Sequence, residues 1–285
     1  MRGSETTSAQ TLSLPAKATE TRLRGPTKAV PNWGGRAWRI VQSLWLPAAV
    51  LGAWEALVAL NVLDALFFPP PRTLLAATRK LIESGELGAQ LGMTLTRTAA
   101  GFAIGFAAGL IAGVLMGTVG AVRRCLEPVV SALYTTPKMS LLPMVMLLFG
   151  VGNTSRILLI SLGCFIMLTI HTFDAVRGVN QRYLELAASY GAGRLMLLRK
   201  VYIPAGLPQV FTGMRLSAGR ALMVTIAIEL VSCPDGIGSM IWMAWQTFAT
   251  EKLYIGVILS AALGMTLHRS LRWLERRLIP WKAAV

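Results

Sequence analysis

The chain has 285 residues, of which 54% are hydrophobic and 14% charged, against about 25% charged in an average soluble domain. This composition excludes an ordinary water-soluble enzyme and places the protein in the membrane class. The formal charge of +15 then reads as cationic loops kept on the cytoplasmic side of a bilayer, not as a nucleic-acid footprint.

Residues 1–35 are rich in Ser, Thr, Lys, Gly and Pro and lack the apolar run of a signal peptide. They predict a disordered cytoplasmic tail. Beyond them, a spanning helix needs about 20 mainly apolar residues, and six stretches qualify: 40–63, 93–118, 128–149, 156–175, 210–232 and 253–273. The expected fold class is an all-α membrane protein with about six transmembrane helices. With both termini inside, outer segments hold only Arg72, Arg79, Lys80, Arg156 and Lys252 of the 28 Lys and Arg. Such asymmetry orients the chain and puts residues 176–208 in the cytoplasm.

The second span contains GFAIGFAAGLIAGVLMG, with Gly101, Gly105, Gly109, Gly113 and Gly117 spaced four apart. On a helix they form a smooth strip about 24 Å long. Another backbone can lie against it, within the chain or from a second copy. A sliding surface during a transport cycle is the other use of such a strip.

The third span is interrupted by Pro137, Lys138 and Pro143. A broken helix with a cation at membrane depth could meet an anionic solute. In the fifth span Arg215 and Arg220 stand about 140° apart around the helix. They are read as snorkelling to the inner surface or capping the loop. Glu229, near the outer end of that span, is a costly intramembrane carboxylate; it could line a path, pin a gate or pair with a neighbouring Lys or Arg. IWMAWQTFATEKLY at 241–254 reads as an interfacial aromatic belt or a re-entrant external helix, and the basic HRSLRWLERRLIPWK as a segment on the anionic inner leaflet. Cys125, Cys164 and Cys233 are scattered, and His171 and His268 are far apart, so no disulfide framework or metal site is expected.

Between the fourth and fifth spans runs ELAASYGAGRLMLLRKVYIPAGLP, residues 185–208. It predicts a short helix opening with Glu185 in its first turn and stopping at Gly191 or Gly193. Ala187, Ala188 and Gly191 leave one side nearly bare. RLMLLRKVYI predicts a second, amphipathic helix, ended by Pro204 and Pro208.

The spacing of Glu185, Ala187, Gly191, then nine residues, Val201, Ile203 and Pro204 resembles the EAA loop of ABC importer permeases. That pattern is EAA, three residues, G, nine residues, I, one residue, LP. Leu186 replaces the first alanine, with Ala188 adjacent. TTPKMSLLPMVMLLFGVGNTSRILLI, AIELVSCPDGIGSMIWMA and LRWLERRLIPW extend the likeness over 40–282, toward the permeases of the nitrate, sulfonate, taurine and thiamine-precursor group. One departure is His268, where members of the group often carry Asp.

The resemblance implies a type I ABC importer permease fold over 36–285. It implies a loop, 176–208, whose Glu185, Ala187, Ala188, Gly191, Arg194, Val201 and Pro204 couple to an ATP-binding subunit. The chain would be non-catalytic and bind no cofactor, with ATP and Mg on the partner ATPase. It would act as a homodimer in a bacterial inner membrane, served by a periplasmic or lipid-anchored solute-binding protein. The solute would be small and anionic (sulfonate, nitrate or taurine-like) or heterocyclic. The rival is a stand-alone secondary transporter or channel, which would need paired broken helices in two related halves; the sequence has no such repeat.

Overall fold

The computed structural model describes residues 33–280, with side chains from 45 onward except that of Arg194. Residues 1–32 of the expected tail lie outside the described residues, whereas 33–35 already belong to a helix. The chain divides into two units, Met1–Val50 and Leu51–Val285, and the elements that carry the site lie in the second. In chain order the helices are α1 (Trp33–Ala59), α2 (Pro71–Glu83), α3 (Glu86–Thr118), α4 (Gly120–Thr135), α5 (Leu142–Phe149), α6 (Asn153–Arg177), α7 (Gln181–Ser189), α8 (Arg194–Leu197), α9 (Ile203–Ser232), α10 (Ile237–Gln246) and α11 (Thr250–Leu278). A 3₁₀ turn, Lys138–Leu141, precedes α5, and a π-helical turn, Leu198–Tyr202, joins α8 to α9. No strand occurs among the described residues.

Three helices, α3, α6 and α11, are long and apolar enough to cross a bilayer unbroken. Two bent pairs meet the same length and composition only when taken together: α4 with the 3₁₀ turn and α5, bent by 100°, and Leu195–Ser232 with α10, bent by 41°. The first expected span falls in α1, of which the part described with side chains, Trp45–Ala59, is apolar. The third span is thus not the single helix 128–149. It folds back at Thr136 and Pro137, because a proline disfavours helical backbone in the residue before it, and Thr136 is extended.

Helix α2 has no counterpart in the sequence reading. Pro71 occupies its first turn, where the missing N–H is no loss, and only Leu74 and Leu81 are buried. A helix with so narrow an apolar stripe escapes a search for spans.

At the centre, α3 lies on α6 through the glycine strip. A Cβ at Gly101 would stand 2.5 Å from Ile160 Cγ2, at Gly109 2.8 Å from the Phe165 carbonyl, at Gly113 2.5 Å from Thr172 Cβ and at Gly117 2.6 Å from Val176 Cβ. Gly105 abuts Ser161 and Cys164. The partners climb α6 in step with the glycines, so the two helices run parallel, and the strip is used inside one subunit. Helix α9 runs the other way: Gly213 faces His171 at its start and Thr98 Oγ1 meets Thr225 Oγ1 at 3.0 Å further along. Consequently the N-terminal ends of α3 and α6 share one end of the bundle with the C-terminal end of α9. Helices α7 and α8 lie at the opposite end.

Because no Cβ fits at these contacts, Gly113→Leu is expected to lower stability by about 1–3 kcal/mol or more. Gly163→Ala, with nothing within 4 Å of the added carbon, should be close to neutral. Thermal unfolding of the two variants in detergent distinguishes them.

Candidate functional site

Helix α7 starts at Asn180, whose side-chain oxygen accepts the Arg182 N–H at 3.0 Å, a standard N-cap. Glu185 is therefore the fifth residue of the helix, not part of its first turn, and its carboxylate is exposed. The helix closes at Gly191, with φ +71°. Gly191 N–H donates to the Ala188 carbonyl at 2.9 Å and Ala192 N–H to the Ala187 carbonyl at 3.0 Å. This is a Schellman closure, and the left-handed residue it requires explains the glycine. Around it Glu185, Ala188 and Gly191 are exposed and Ala187 is half-buried. Tyr183, Leu186, Tyr190, Leu195 and Met196 are also exposed.

Pro204 and Pro208 do not end the next helix as the sequence suggested. Pro204 sits in the first turn of α9, directly after the π-helical turn that contains Val201. The wider turn absorbs the residue that has no N–H to give and keeps the chain helical. Pro208 lies inside α9. The result is one helical rod from Leu195 to Ser232, about 57 Å long.

At the far end of that rod lies a buried ionic cluster. Arg97, on α3, is 2% exposed and Glu229, on α9, is 0% exposed. Arg97 Nη1 donates to Glu229 Oε1 at 3.0 Å and to the Asp235 carbonyl at 2.9 Å, while Nε donates to Asn153 Oδ1 at 2.9 Å. Its Nη2 pairs with the Asp235 carboxylate. The second oxygen of Glu229 accepts from Thr94 Oγ1 at 2.8 Å and Gly238 N–H at 3.1 Å. Thr94 Oγ1 in turn accepts the Ile237 N–H at 2.9 Å. A Cβ at Gly236, where φ is +105°, would fall on the Glu229 carboxylate, so this residue has to be glycine. Arg156 donates to Asn153 Oδ1 at 3.3 Å and to the Ser232 carbonyl, placing a cation at the negative end of α9.

The cluster ties α3, α6, α9 and the 233–236 link to the start of α10. Two carboxylates bracket the Arg97 guanidinium, and hydrogen bonds with Thr94, Gly238 and Asn153 complete that pairing, the condition under which buried charge is tolerated. Arg156 Nε, by contrast, has no partner among the described residues. Of the roles open to Glu229, the geometry is that of a pin, paired with an arginine and out of reach of solvent. Arg97, Asn153 and Asp235 were not singled out from the sequence. The available signal was a cation just inside an otherwise uncharged span, at the same end of the bundle as the carboxylate of another span.

The aromatic segment lies partly in a short helix that begins upstream of it. Helix α10 begins at Ile237, four residues before the expected 241, and turns at Phe248, with φ +55°, so that α11 starts at Thr250. Trp242 and Trp245 stack at 5.0 Å on its exposed face. Lys252 grips both oxygens of Glu86 at 3.0 and 3.1 Å. Arg215 pairs at 3.0 Å with Glu275, tying α9 to α11. Lys138 donates to the Tyr134 carbonyl at 2.7 Å in the bend of the third span. His268 is exposed and contacts Arg272 at 2.7 Å. The sequence-selected residues therefore form no single pocket. They occupy one end, the middle and the other end of a column built on α9.

Residues 105–280 match the family model described as the binding-protein-dependent transport system inner membrane component. The chain belongs to this family. It is 34% identical over 270 residues to the putative aliphatic sulfonates transport permease protein SsuC of Bacillus subtilis, covering 95% of both chains. It is 30% identical over 252 residues to the taurine transport system permease protein TauC of Escherichia coli, covering 87% of this chain and 92% of that one. The fold is similar to that of an amino acid ABC transporter crystallised with histidines, with a TM-score of 0.59 at 17% identity over 72% of this chain and 97% of the other.

This binding-protein-dependent permease is thus a multi-pass inner membrane protein and the membrane subunit of an ABC importer, all-helical as the sequence implied. Within it the Arg97–Glu229 pair is expected to be structural. Arg97→Ala, which strands a buried carboxylate, should cost about 3–5 kcal/mol. Removing both charges with Arg97→Met and Glu229→Gln should cost less than the sum of the single changes. Thermal melts of the purified permease in a double-mutant cycle measure the difference.

Proposed function

We propose that this permease works as one half of a homodimer in a bacterial cytoplasmic membrane, with both termini in the cytoplasm. Each copy presents α7 and α8 to a cytoplasmic ATP-binding subunit, which carries the ATP and Mg. An external solute-binding protein, periplasmic or lipid-anchored, delivers a small anionic solute of the sulfonate or taurine class to the opposite face. Chemistry on this chain is not required, because the work is mechanical.

The observation that carries the reading is the small-residue surface around the Gly191 closure, exposed at Glu185, Ala188 and Gly191 and leading into a rod that continues without a break to the ionic cluster. Exposed apolar side chains grouped beside a small-residue face mark a protein contact. With α8, the π-helical turn and α9 in one piece, a displacement of α7 is handed along the rod to Glu229 and the link before α10. Transport then follows as a rigid-body change between two discrete packings. The sulfonate class rests on the named relatives.

Gly191 is the most direct test of the contact. No atom lies within 4 Å of a Cβ built there, so a larger residue disturbs a partner before it disturbs this chain. Gly191→Leu is expected to insert and dimerise but to lose at least about tenfold in co-purified ATP-binding subunit. Gly191→Asn, which tolerates the left-handed backbone, should retain more. Equal recovery of the ATPase with all three chains, or solute uptake by liposomes that hold the permease alone, would refute the reading.

A further inference from the structure

Three cations of the bundle have fixed partners: Arg97 has Glu229 and Asp235, Arg215 has Glu275, and Arg156 has the end of α9. Lys138 and Arg220 stand apart. The ammonium of Lys138 reaches the Tyr134 carbonyl and lies over that ring at 5.5 Å. Arg220 is exposed and makes no ion pair with the described residues.

These two cations belong to one patch. Met139 and Leu141 of the 3₁₀ turn pack in the same apolar cluster as Ala221, Val224 and Ile228 of α9, which brings the turn carrying Lys138 against the stretch of α9 that follows Arg220. The two act on each other as like charges. Along α9, Arg220 lies about 7.5 Å from Arg215, at one paired end, and about 13.5 Å from Glu229, at the other. The patch is therefore near the middle of the bundle.

Among the described residues no carboxylate pairs with either cation. The sequence has no Asp or Glu between Glu86 and Glu127, between Glu127 and Asp174, between Glu185 and Glu229, or between Glu251 and Glu275. Of the nearest acidic residues in the chain, Glu127 of α4 is held by Arg123 at 3.2 Å, Asp174 lies near the end of α6, and Glu55 of α1 is held by Arg72 at 3.2 Å. Uncompensated charge at this depth is costly, and in membrane proteins it marks a pathway.

We propose that Lys138 and Arg220 form an anion station midway along the translocation path, taking an oxyanion such as a sulfonate. This deepens the importer reading and rests on it. The guanidinium supplies a planar fork for two oxygens and the ammonium a point charge. The fold break at Pro137 keeps the lysine at mid-depth instead of at a helix end. Because the patch is partly open, the anion is held loosely enough to leave, as conduction requires.

The test uses the complete importer in liposomes, with its ATP-binding subunit and binding protein. Uptake of radiolabelled ethanesulfonate, nitrate and taurine, and of riboflavin as a neutral control, is compared across variants. Lys138→Gln and Arg220→Gln are each expected to reduce anion uptake about tenfold. Lys138→Arg and Arg220→Lys, which keep the charge, should retain most of it. Co-elution with the ATP-binding subunit reports folding, and because each position is tested separately, loss of assembly at one leaves the other to decide. Full anion uptake after both charges are removed overturns the station, as does a wild-type importer that moves riboflavin but none of the anions. Uptake that persists without the ATP-binding subunit defeats the importer reading instead, and the Gln variants then still decide the station.

Discussion

The structure depends on the absence of side chains along one face of α3. Lipid offers helices no hydrophobic reason to associate, so their affinity comes from close van der Waals contact. Five glycines at a spacing of four let the backbone of α3 settle onto α6 from Ile160 to Val176. Once these two parallel helices are fixed, α9 has a two-helix wall to lie against. The other contacts follow: Thr98 with Thr225, Gly213 with His171, and Cys164 with the Ser217 carbonyl.

Polar interactions then set the ends of that wall in place. Arg97, Glu229, Asp235, Asn153 and Arg156 lock one end, and Arg215 with Glu275 locks α9 to α11 nearer the other. A buried ion pair contributes little net stability over an apolar replacement, but it is intolerant of misalignment. Its effect here is to fix the depth of α9 relative to α3 and to aim the 233–236 link at the start of α10. A rod pinned at one end and presenting α7 at the other is well suited to passing a displacement along its length.

Several sequence-based expectations failed for related reasons. Proline statistics led to a helix ending before Pro204, yet the π-helical turn at Leu198–Tyr202 removes the need for the lost hydrogen bond and the rod continues. The carboxylate of Glu185 suggested a first turn, but Asn180 three residues before Tyr183 is the stronger cap and moved the start upstream. The third span was counted by apolarity, which is blind to direction, and its two halves differ in direction by 100°. In each case a local rule was correct about preference and silent about what the neighbouring turn could absorb.

The sequence by itself determined the membrane class, the apolar spans and the glycine strip, because each is written in residues close together in the chain. It also showed a short helix ending at Gly191 or Gly193, since a left-handed closure needs a glycine at the helix end, and the structure places that closure at Gly191. Only the tertiary structure decided which helix receives the strip, that Glu229 is paired with Arg97, that Arg215 meets Glu275, and that Lys138 and Arg220 are neighbours. Those pairs are joined by 132, 60 and 82 positions of chain, and a periodic pattern gives the face of a helix but not the helix that comes to meet it.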